Sequence, residues 1–174
     1  MRLGTGLSAA VAFAIDWWAT GATLFILSML LDRGDGDYAR VSGQTSHSGH
    51  KYDLVADTVC NAVIFIGLGF GLHGGAFGYW AVPMGVVAGL AVTAVLGMVI
   101  RAENLAGQRS AEIGNLFGFD PDDAMLAVPI LVLLGYQEQL LLAAVIGAPL
   151  FTLIFFIGWR IKFKSTAASG TQPE

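Results

Sequence analysis

Four aspartates in the first third of the chain have the spacing expected of a site for divalent cations. Asp32 and Asp35 are three residues apart, and Asp53 and Asp57 are four apart, so each pair projects from one face of a helix. The first pair closes one apolar stretch and the second opens the next, so the two pairs can converge. Carboxylates at this density must be neutralised, and their hard oxygens suit Mg²⁺ or Mn²⁺. We therefore predict that these four aspartates hold two such ions, an arrangement that serves phosphoryl transfer.

The residues around these aspartates extend the pattern to eight fixed positions. From Asp32 to Asp57 the sequence reads Asp-x2-Asp-Gly-x2-Ala-Arg-x8-Gly-x3-Asp-x3-Asp. This pattern resembles the signature of the CDP-alcohol phosphotransferase (CDP-alcohol phosphatidyltransferase) family, and a chance match at a given start is on the order of 10⁻¹⁰. The motif covers 26 of the 174 residues. The resemblance also implies several membrane spans, with the motif joining two helices on the cytoplasmic side.

The resemblance implies a reaction and a role for each motif residue. Family members transfer a phosphatidyl or similar group from a CDP-linked donor, such as CDP-diacylglycerol, to an acceptor hydroxyl and release CMP. Asp32, Asp35 and Asp53 resemble the family's metal ligands. Asp57 resembles the family's last aspartate, which takes the proton of the acceptor hydroxyl and can also contact metal. An ionised carboxylate can accept a proton from a nearby hydroxyl. We expect four further motif residues to bind the nucleotide. Gly36, Ala39 and Gly49 are small enough to leave room for it, and Arg40 offers positive charge.

Two arginines outside the motif, Arg101 and Arg109, are candidates for binding an anionic acceptor such as glycerol phosphate or inositol phosphate. Their use as positively charged membrane anchors explains them equally well, and the motif does not specify the acceptor alcohol. A second class of protein would use the same acids without recognising CDP: a small polytopic cation transporter or a non-catalytic membrane scaffold. Such a protein has no need of the motif's glycines, alanine and arginine at these offsets.

The composition places these residues in a membrane protein. Of 174 residues, 55% are hydrophobic and 13% are charged, against about a quarter charged in soluble domains. No Asp, Glu, Lys or Arg occurs between Thr58 and Ile100, and a soluble protein of this size cannot cover such a run. A water-soluble or disordered chain is excluded. The net charge of −4 argues against nucleic acid as a partner.

Apolar stretches predict an all-α, polytopic membrane bundle, since a spanning helix needs about 20 such residues. The predicted spans cover residues 7–31, 54–72, 78–100, 121–135 and 139–159. The family resemblance implies six spans, two of them before the motif, and 31 residues cannot hold two of full length. We therefore expect five spans, or six with a short or missing first helix. The second arrangement would place a short in-plane helix up to Asp16 and a steep span from Trp17.

The distribution of positive charge predicts the orientation. Five spans put the linkers 32–53 and 101–120 and the C-terminal segment on one side with eight basic residues, and leave Arg2 alone on the other. By the positive-inside rule we expect a multi-pass protein of the inner (cytoplasmic) membrane with its active site facing the cytoplasm. We also predict one transmembrane domain, residues 1–164, followed by a polar tail, residues 165–174.

Small and aromatic residues give expectations for packing. Gly67 with Gly71, and Gly85 with Gly89, predict close helix contacts within the chain or between subunits. The resemblance favours a homodimer, which the spacing alone does not show. The four tryptophans, at positions 17, 18, 80 and 159, are candidate anchors at the membrane interface. Those at 17 and 18 fit poorly, because they fall in mid-span if residues 7–31 form one helix.

Overall fold

Six α-helices make up most of the residues that the computed structural model describes, which are 2–41, 47–106 and 121–169. In chain order they are α1 (Arg2–Ala14), α2 (Trp18–Val41), α3 (His47–Gly71), α4 (Ala81–Ala106), α5 (Pro121–Leu133) and α6 (Gln137–Ser169). Two 3-10 turns, Leu72–Gly74 and Gly78–Trp80, connect α3 to α4, and these ranges contain no strand. The predicted all-α fold is therefore confirmed.

The first apolar stretch forms two helices rather than one span. After α1, Asp16 adopts a left-handed conformation with φ of 63°. The N–H groups of Asp16 and Trp17 donate to the carbonyls of Phe13 (3.2 Å) and Ala12 (2.9 Å), respectively. This pair of hydrogen bonds closes a helix C-terminus and lets the chain reverse. The single span predicted over residues 7–31 is wrong, and the short first helix of the alternative is found. Its predicted in-plane orientation is wrong, because α1 packs lengthwise against α2 from Phe13 at Gly21 to Arg2 at Asp32. Hydropathy misses the turn, because its residues are flanked by apolar ones on both sides.

The reversal at Asp16 also corrects the position of Arg2. Helix α1 runs antiparallel to α2, so that Phe13 packs on Gly21 near the turn and Arg2 reaches Asp32 at the other end. The prediction that left Arg2 alone on the side opposite the motif is therefore wrong. Arg2 lies at the same end of the bundle as the aspartates.

Helix α3 lies between α1 and α4, and glycines allow both neighbours to approach it closely. A Cβ atom on Gly67 of α3 would overlap the carbonyl oxygen of Ala10 in α1. A Cβ atom on Gly89 of α4 would lie 2.7 Å from the carbonyl oxygen of Ala62 in α3. The buried core beside these contacts includes Phe13, Phe25, Ile64 and Leu68. The close packing predicted from the glycine spacing is thus found within the chain.

Within the described residues, three helices are long and apolar enough to cross a membrane, with candidate spans Val55–Gly74, Gly78–Val95 and Gln137–Ile154. Two exposed tyrosines, Tyr38 and Tyr52, lie at the motif end of the bundle, and four exposed aromatic side chains form a belt at the other end: Trp17, Tyr79, Trp80 and Tyr136. Such a belt is typical of a membrane interface. The turn at Asp16 explains why Trp17 belongs to it. Trp18 instead packs inward on Phe13, with ring centroids 6.1 Å apart, and the side chain of Trp159 lies outside those described.

Candidate active site

The eight motif positions lie on two helices whose motif-bearing ends flank the start of α1. Helix α2 carries Asp32, Asp35, Gly36, Ala39 and Arg40, and helix α3 carries Gly49, Asp53 and Asp57. Both helices run unbroken through their part of the motif, so each aspartate pair has the helical spacing that puts it on one face. Residues 42–46, between the helices, lie outside the described residues. So do the side chains of Asp35, Ala39, Arg40 and Asp53.

Arg2 brings the first and last aspartates of the motif together. Its Nη1 lies 2.5 Å from Oδ2 of Asp32, and its Nε lies 2.6 Å from Oδ1 of Asp57. The side chains are largely buried, with exposed fractions of 11% for Arg2, 23% for Asp32 and 16% for Asp57. Buried charges require such partners, because leaving one uncompensated is strongly destabilising. Three helices, α1, α2 and α3, therefore contribute one charge each to this site.

The backbone of Arg2 is held in place by the two helices that carry the aspartates. Its carbonyl oxygen accepts a hydrogen bond from the hydroxyl of Ser28 in α2 at 3.1 Å, and the thiol of Cys60 in α3 lies 3.7 Å away. One turn later, a Cβ atom on Gly6 would lie 2.5 Å from the Cys60 sulfur. The start of α1 is thus packed directly against the site, which holds the backbone of Arg2 beside the aspartates.

The described carboxylates fit a divalent cation chemically. Asp32 and Asp57 present hard oxygen atoms from two helices to one point, where both contact the guanidinium of Arg2. Carboxylate oxygens are the ligands that Mg²⁺ and Mn²⁺ prefer. Among the side chains that the structure describes, no three His, Cys, Asp or Glu groups gather at one point. The two other predicted ligands, Asp35 and Asp53, have side chains outside that part of the chain.

Asn61 is a polar residue of this region that the motif does not contain. It lies one helical turn beyond Asp57 on α3, and only 6% of it is exposed. Within the described part of the chain, its Oδ1 has no hydrogen-bond partner. A buried amide oxygen without a partner is uncommon and calls for an explanation. The spacing Asp53, Asp57, Asn61 could have indicated this position, since all three residues share one helix face.

The two candidate acceptor-binding arginines lie largely outside the described site. The backbone of Arg101 belongs to α4, in the part that runs toward the motif end, and its side chain is not among those described. Arg109 lies in residues 107–120, outside the described residues. Both assignments stay predictions.

A cavity of about 480 Å³ opens at the opposite end of the bundle and is separate from the motif. Its lining includes Asp16, in the α1–α2 turn, and Gln137 and Glu138, the first two residues of α6. Oε1 of Glu138 accepts a hydrogen bond from the N–H of Ala76 at 2.9 Å. That contact joins the α3–α4 connection to α6, so Glu138 has a structural explanation. Asp16 likewise belongs to the turn that reverses the chain.

The fold and site together define a helical membrane protein with a cluster of opposite charges where α1, α2 and α3 meet. The sequence profile of the CDP-alcohol phosphatidyltransferase family matches residues 1–154. The chain belongs to this family. No curated protein and no solved structure is significantly similar to it. Family membership supports an enzyme that transfers a phosphatidyl group from a CDP-alcohol, and it speaks against the transporter or scaffold interpretation.

Proposed function

We propose that the chain catalyses the metal-dependent transfer of a phosphatidyl group from a CDP-linked lipid, such as CDP-diacylglycerol, to a small alcohol in phospholipid biosynthesis. The convergence of Asp32 and Asp57 on Arg2 carries this proposal, because it brings the ends of the motif from two helices to one point. Family membership supports the class of donor and the reaction. The acceptor we favour is an anionic alcohol, glycerol phosphate or inositol phosphate.

Each aspartate has a role in this reaction. Asp32, Asp35, Asp53 and Asp57 would hold two Mg²⁺ or Mn²⁺ ions, which supply positive charge beside the attacking and leaving oxygens. Asp57 accepts the proton of the acceptor hydroxyl. The acceptor oxygen forms a bond to the phosphatidyl phosphorus, and the bond from that phosphorus to the CMP oxygen breaks. The electron pair of the broken bond leaves with CMP.

The remaining candidates would bind the two substrates. Gly36, Ala39 and Gly49 leave room for the nucleotide to approach the helix backbone, and Arg40 offers a guanidinium fork to its diphosphate. Arg101 and Arg109 would bind the phosphate of an anionic acceptor. Their positive charge would favour acceptors that carry a phosphate over uncharged alcohols.

The depth of the site suits a lipid donor. Trp17 belongs to the aromatic belt, and Asp32 follows it by fifteen residues, or about 22 Å along a helix. The hydrocarbon core of a bilayer is about 30 Å thick. The carboxylates would therefore lie at or just inside the opposite boundary of that core, close to the phosphates of lipid head groups.

Positive charge supports a cytoplasmic active site at the inner membrane. Eight of the nine basic residues belong to the described helices, and all eight are toward the motif end: Arg2, Arg33, Arg40, Lys51, Arg101, Arg160, Lys162 and Lys164. The positive-inside rule assigns such an end to the cytoplasm. A homodimer, which the family resemblance favours, belongs to the same proposal. Exposed apolar side chains on α6, such as Leu150 and Ile154, are available to lipid or to a second copy.

The direct test is an assay of CMP release by the purified full chain in detergent or lipid. CDP-diacylglycerol serves as donor, a panel of alcohols as acceptors, and Mg²⁺ or Mn²⁺ is added or chelated. We expect CMP release only with a divalent cation, and faster release with a phosphorylated alcohol than with its uncharged counterpart. Failure with every acceptor, or full activity in chelator, would contradict the proposal.

A further inference from the structure

We propose that Arg2 is a built-in counter-cation of the aspartate site, which exchanges from the carboxylates to the diphosphate of the nucleotide when divalent cations bind. In this role Arg2 would couple metal binding to nucleotide binding. The inference rests on the proposed metal-dependent function and assigns a role to a residue outside the motif.

The first step of the argument is competition for the same carboxylates. Arg2 contacts Oδ2 of Asp32 and Oδ1 of Asp57, and both residues are predicted metal ligands. A guanidinium and a divalent cation at one group of carboxylates repel each other. One unit of charge beside a divalent ion changes its affinity on the order of tenfold, even at high dielectric. Metal binding is therefore expected to weaken the ion pairs that Asp32 and Asp57 make with Arg2.

The second step is that Arg2 cannot leave the site. Ser28 donates a hydrogen bond to its carbonyl oxygen, and the close approach at Gly6 packs the first turn of α1 against Cys60. Only the side chain can respond, and 11% of it is exposed. A buried guanidinium that loses its carboxylate partners needs another anion beside it.

The third step identifies that anion by its chemistry. A planar guanidinium fork matches the oxygens of a phosphate group in geometry and charge. The anion that the proposed reaction brings to these aspartates is the diphosphate of the CDP-linked donor. Metal ions would thus weaken the ion pairs of Arg2, and its guanidinium would then bind the diphosphate. Bound metal would therefore raise the affinity for the nucleotide, and bound nucleotide would raise the affinity for the metal.

A purely structural Arg2 makes a different prediction. If the residue only ties α1 to α2 and α3, its removal lowers stability by the same amount at every metal concentration. It would leave the affinities for metal and for nucleotide unchanged. Exchange predicts opposite changes in the two affinities.

The experiment compares the full-length wild type with Arg2→Met and Arg2→Lys in detergent, at constant ionic strength. Unfolding is followed through the chain's single cysteine, the buried Cys60, by its reaction with a fluorogenic maleimide. The midpoint temperature is measured in chelator, in a Mg²⁺ or Mn²⁺ titration, and in a CDP titration at saturating metal. Because CDP alone is not a donor and no acceptor is present, turnover does not enter the readout. Arg33→Met serves as the matched control, since it removes the same charge from an exposed side chain.

Exchange predicts three results for Arg2→Met: a lower midpoint in chelator, a roughly tenfold tighter apparent affinity for the metal, and at least tenfold weaker binding of CDP. Arg2→Lys keeps the charge and should retain nearly the metal affinity of the wild type. Arg33→Met should change both affinities much less, because water and salt screen an exposed charge. If Arg2→Met does not fold, Arg2→Gln, which is also uncharged but keeps hydrogen-bond donors, replaces it with the same expectations.

Two outcomes would overturn the inference in distinguishable ways. Equal metal and CDP affinities in the wild type and the uncharged variants would refute exchange and leave the proposed function intact. No stabilisation of any variant by Mg²⁺ or Mn²⁺ would refute the metal-dependent function, and the role of Arg2 with it.

Discussion

The Nε atom of Arg2 lies 2.6 Å from Oδ1 of Asp57, so an ion pair joins the first turn of α1 to the last aspartate of the motif. The pair is largely buried, and the same guanidinium also contacts Asp32. Three chain segments that are distant in sequence are therefore linked by charge at the point where the chemistry is proposed. Helix α1 is a part of the site and not only a lipid-facing helix.

We expect Arg2 and Asp57 to be energetically coupled. A double-mutant cycle of Arg2→Met and Asp57→Asn in chelator should give a coupling free energy of about 1–3 kcal/mol, because the contact is close and mostly shielded from water. The measurement is the change in unfolding free energy of the two single variants and the double variant. A control cycle of Arg2→Met with Glu138→Gln, at the opposite end of the bundle, should give a coupling close to zero. Equal coupling in the two cycles would contradict a direct interaction.

Asp57→Asn should abolish most of the transfer activity. The amide keeps the size of the side chain but cannot take the acceptor's proton, and loss of a general base lowers kcat by about 10²–10⁴-fold. The measurement is CMP release at saturating metal and substrates. Asp37→Asn is the matched control, since Asp37 is an acid of α2 within the motif segment but outside the fixed motif positions, and its activity should stay within about twofold of the wild type. Near-normal turnover by Asp57→Asn would exclude the proposed role.

The helical placement of the four aspartates is predictable from local sequence, whereas the contact of two of them with Arg2 is not. The spacing of Asp32, Asp35, Asp53 and Asp57 places each pair on a helix face, and helices α2 and α3 do run through these positions. The position of Arg2 depends on a chain reversal at Asp16, which occurs within an almost uniformly apolar stretch. Hydropathy averages over such a turn, so it predicts one helix through residues 7–31 and places Arg2 at the wrong end of the bundle.

The glycines show the same division between local and tertiary information. Their four-residue spacing predicts close helix contacts, but it does not state which helices meet. Gly67 faces the backbone of Ala10 in α1, and Gly89 faces that of Ala62 in α3. These partners follow from the order of helices in the bundle, which depends on long-range packing rather than on any single segment.

The turn at Asp16 should carry backbone strain that glycine would relieve. Asp16 has φ of 63°, and a side chain in the left-handed region costs about 1–2 kcal/mol relative to glycine, less for Asp than for most residues. We expect Asp16→Gly to be more stable than Asp16→Ala by about 1 kcal/mol. Both variants lose the same charge, so their difference in unfolding free energy isolates the backbone effect.

The turn at Gly135 gives an independent check of that expectation. Gly135, after α5, has φ of 84°, and its N–H and that of Tyr136 donate to Val132 and Leu131 in the same pattern as at Asp16. Gly135→Ala should therefore lose about 1 kcal/mol. Equal stability of the glycine and alanine variants at both turns would show that neither backbone is strained.

Substitution of Gly67 should separate α1 from α3. Its Cβ would overlap the carbonyl oxygen of Ala10, which is backbone and cannot move without shifting the whole helix. We expect Gly67→Ala to cost about 1–3 kcal/mol, as overpacking in a close contact does. Because α1 carries Arg2, the shift should also raise the rate at which Cys60 reacts with maleimide under native conditions.

Gly147→Ala in α6 is the matched control, since a Cβ there meets nothing within 4 Å. Its higher helix propensity should leave stability unchanged or raise it by up to about 1 kcal/mol. A Gly67→Ala variant as stable as Gly147→Ala, with an unchanged Cys60 rate, would contradict the close α1–α3 contact that holds Arg2 at the aspartates.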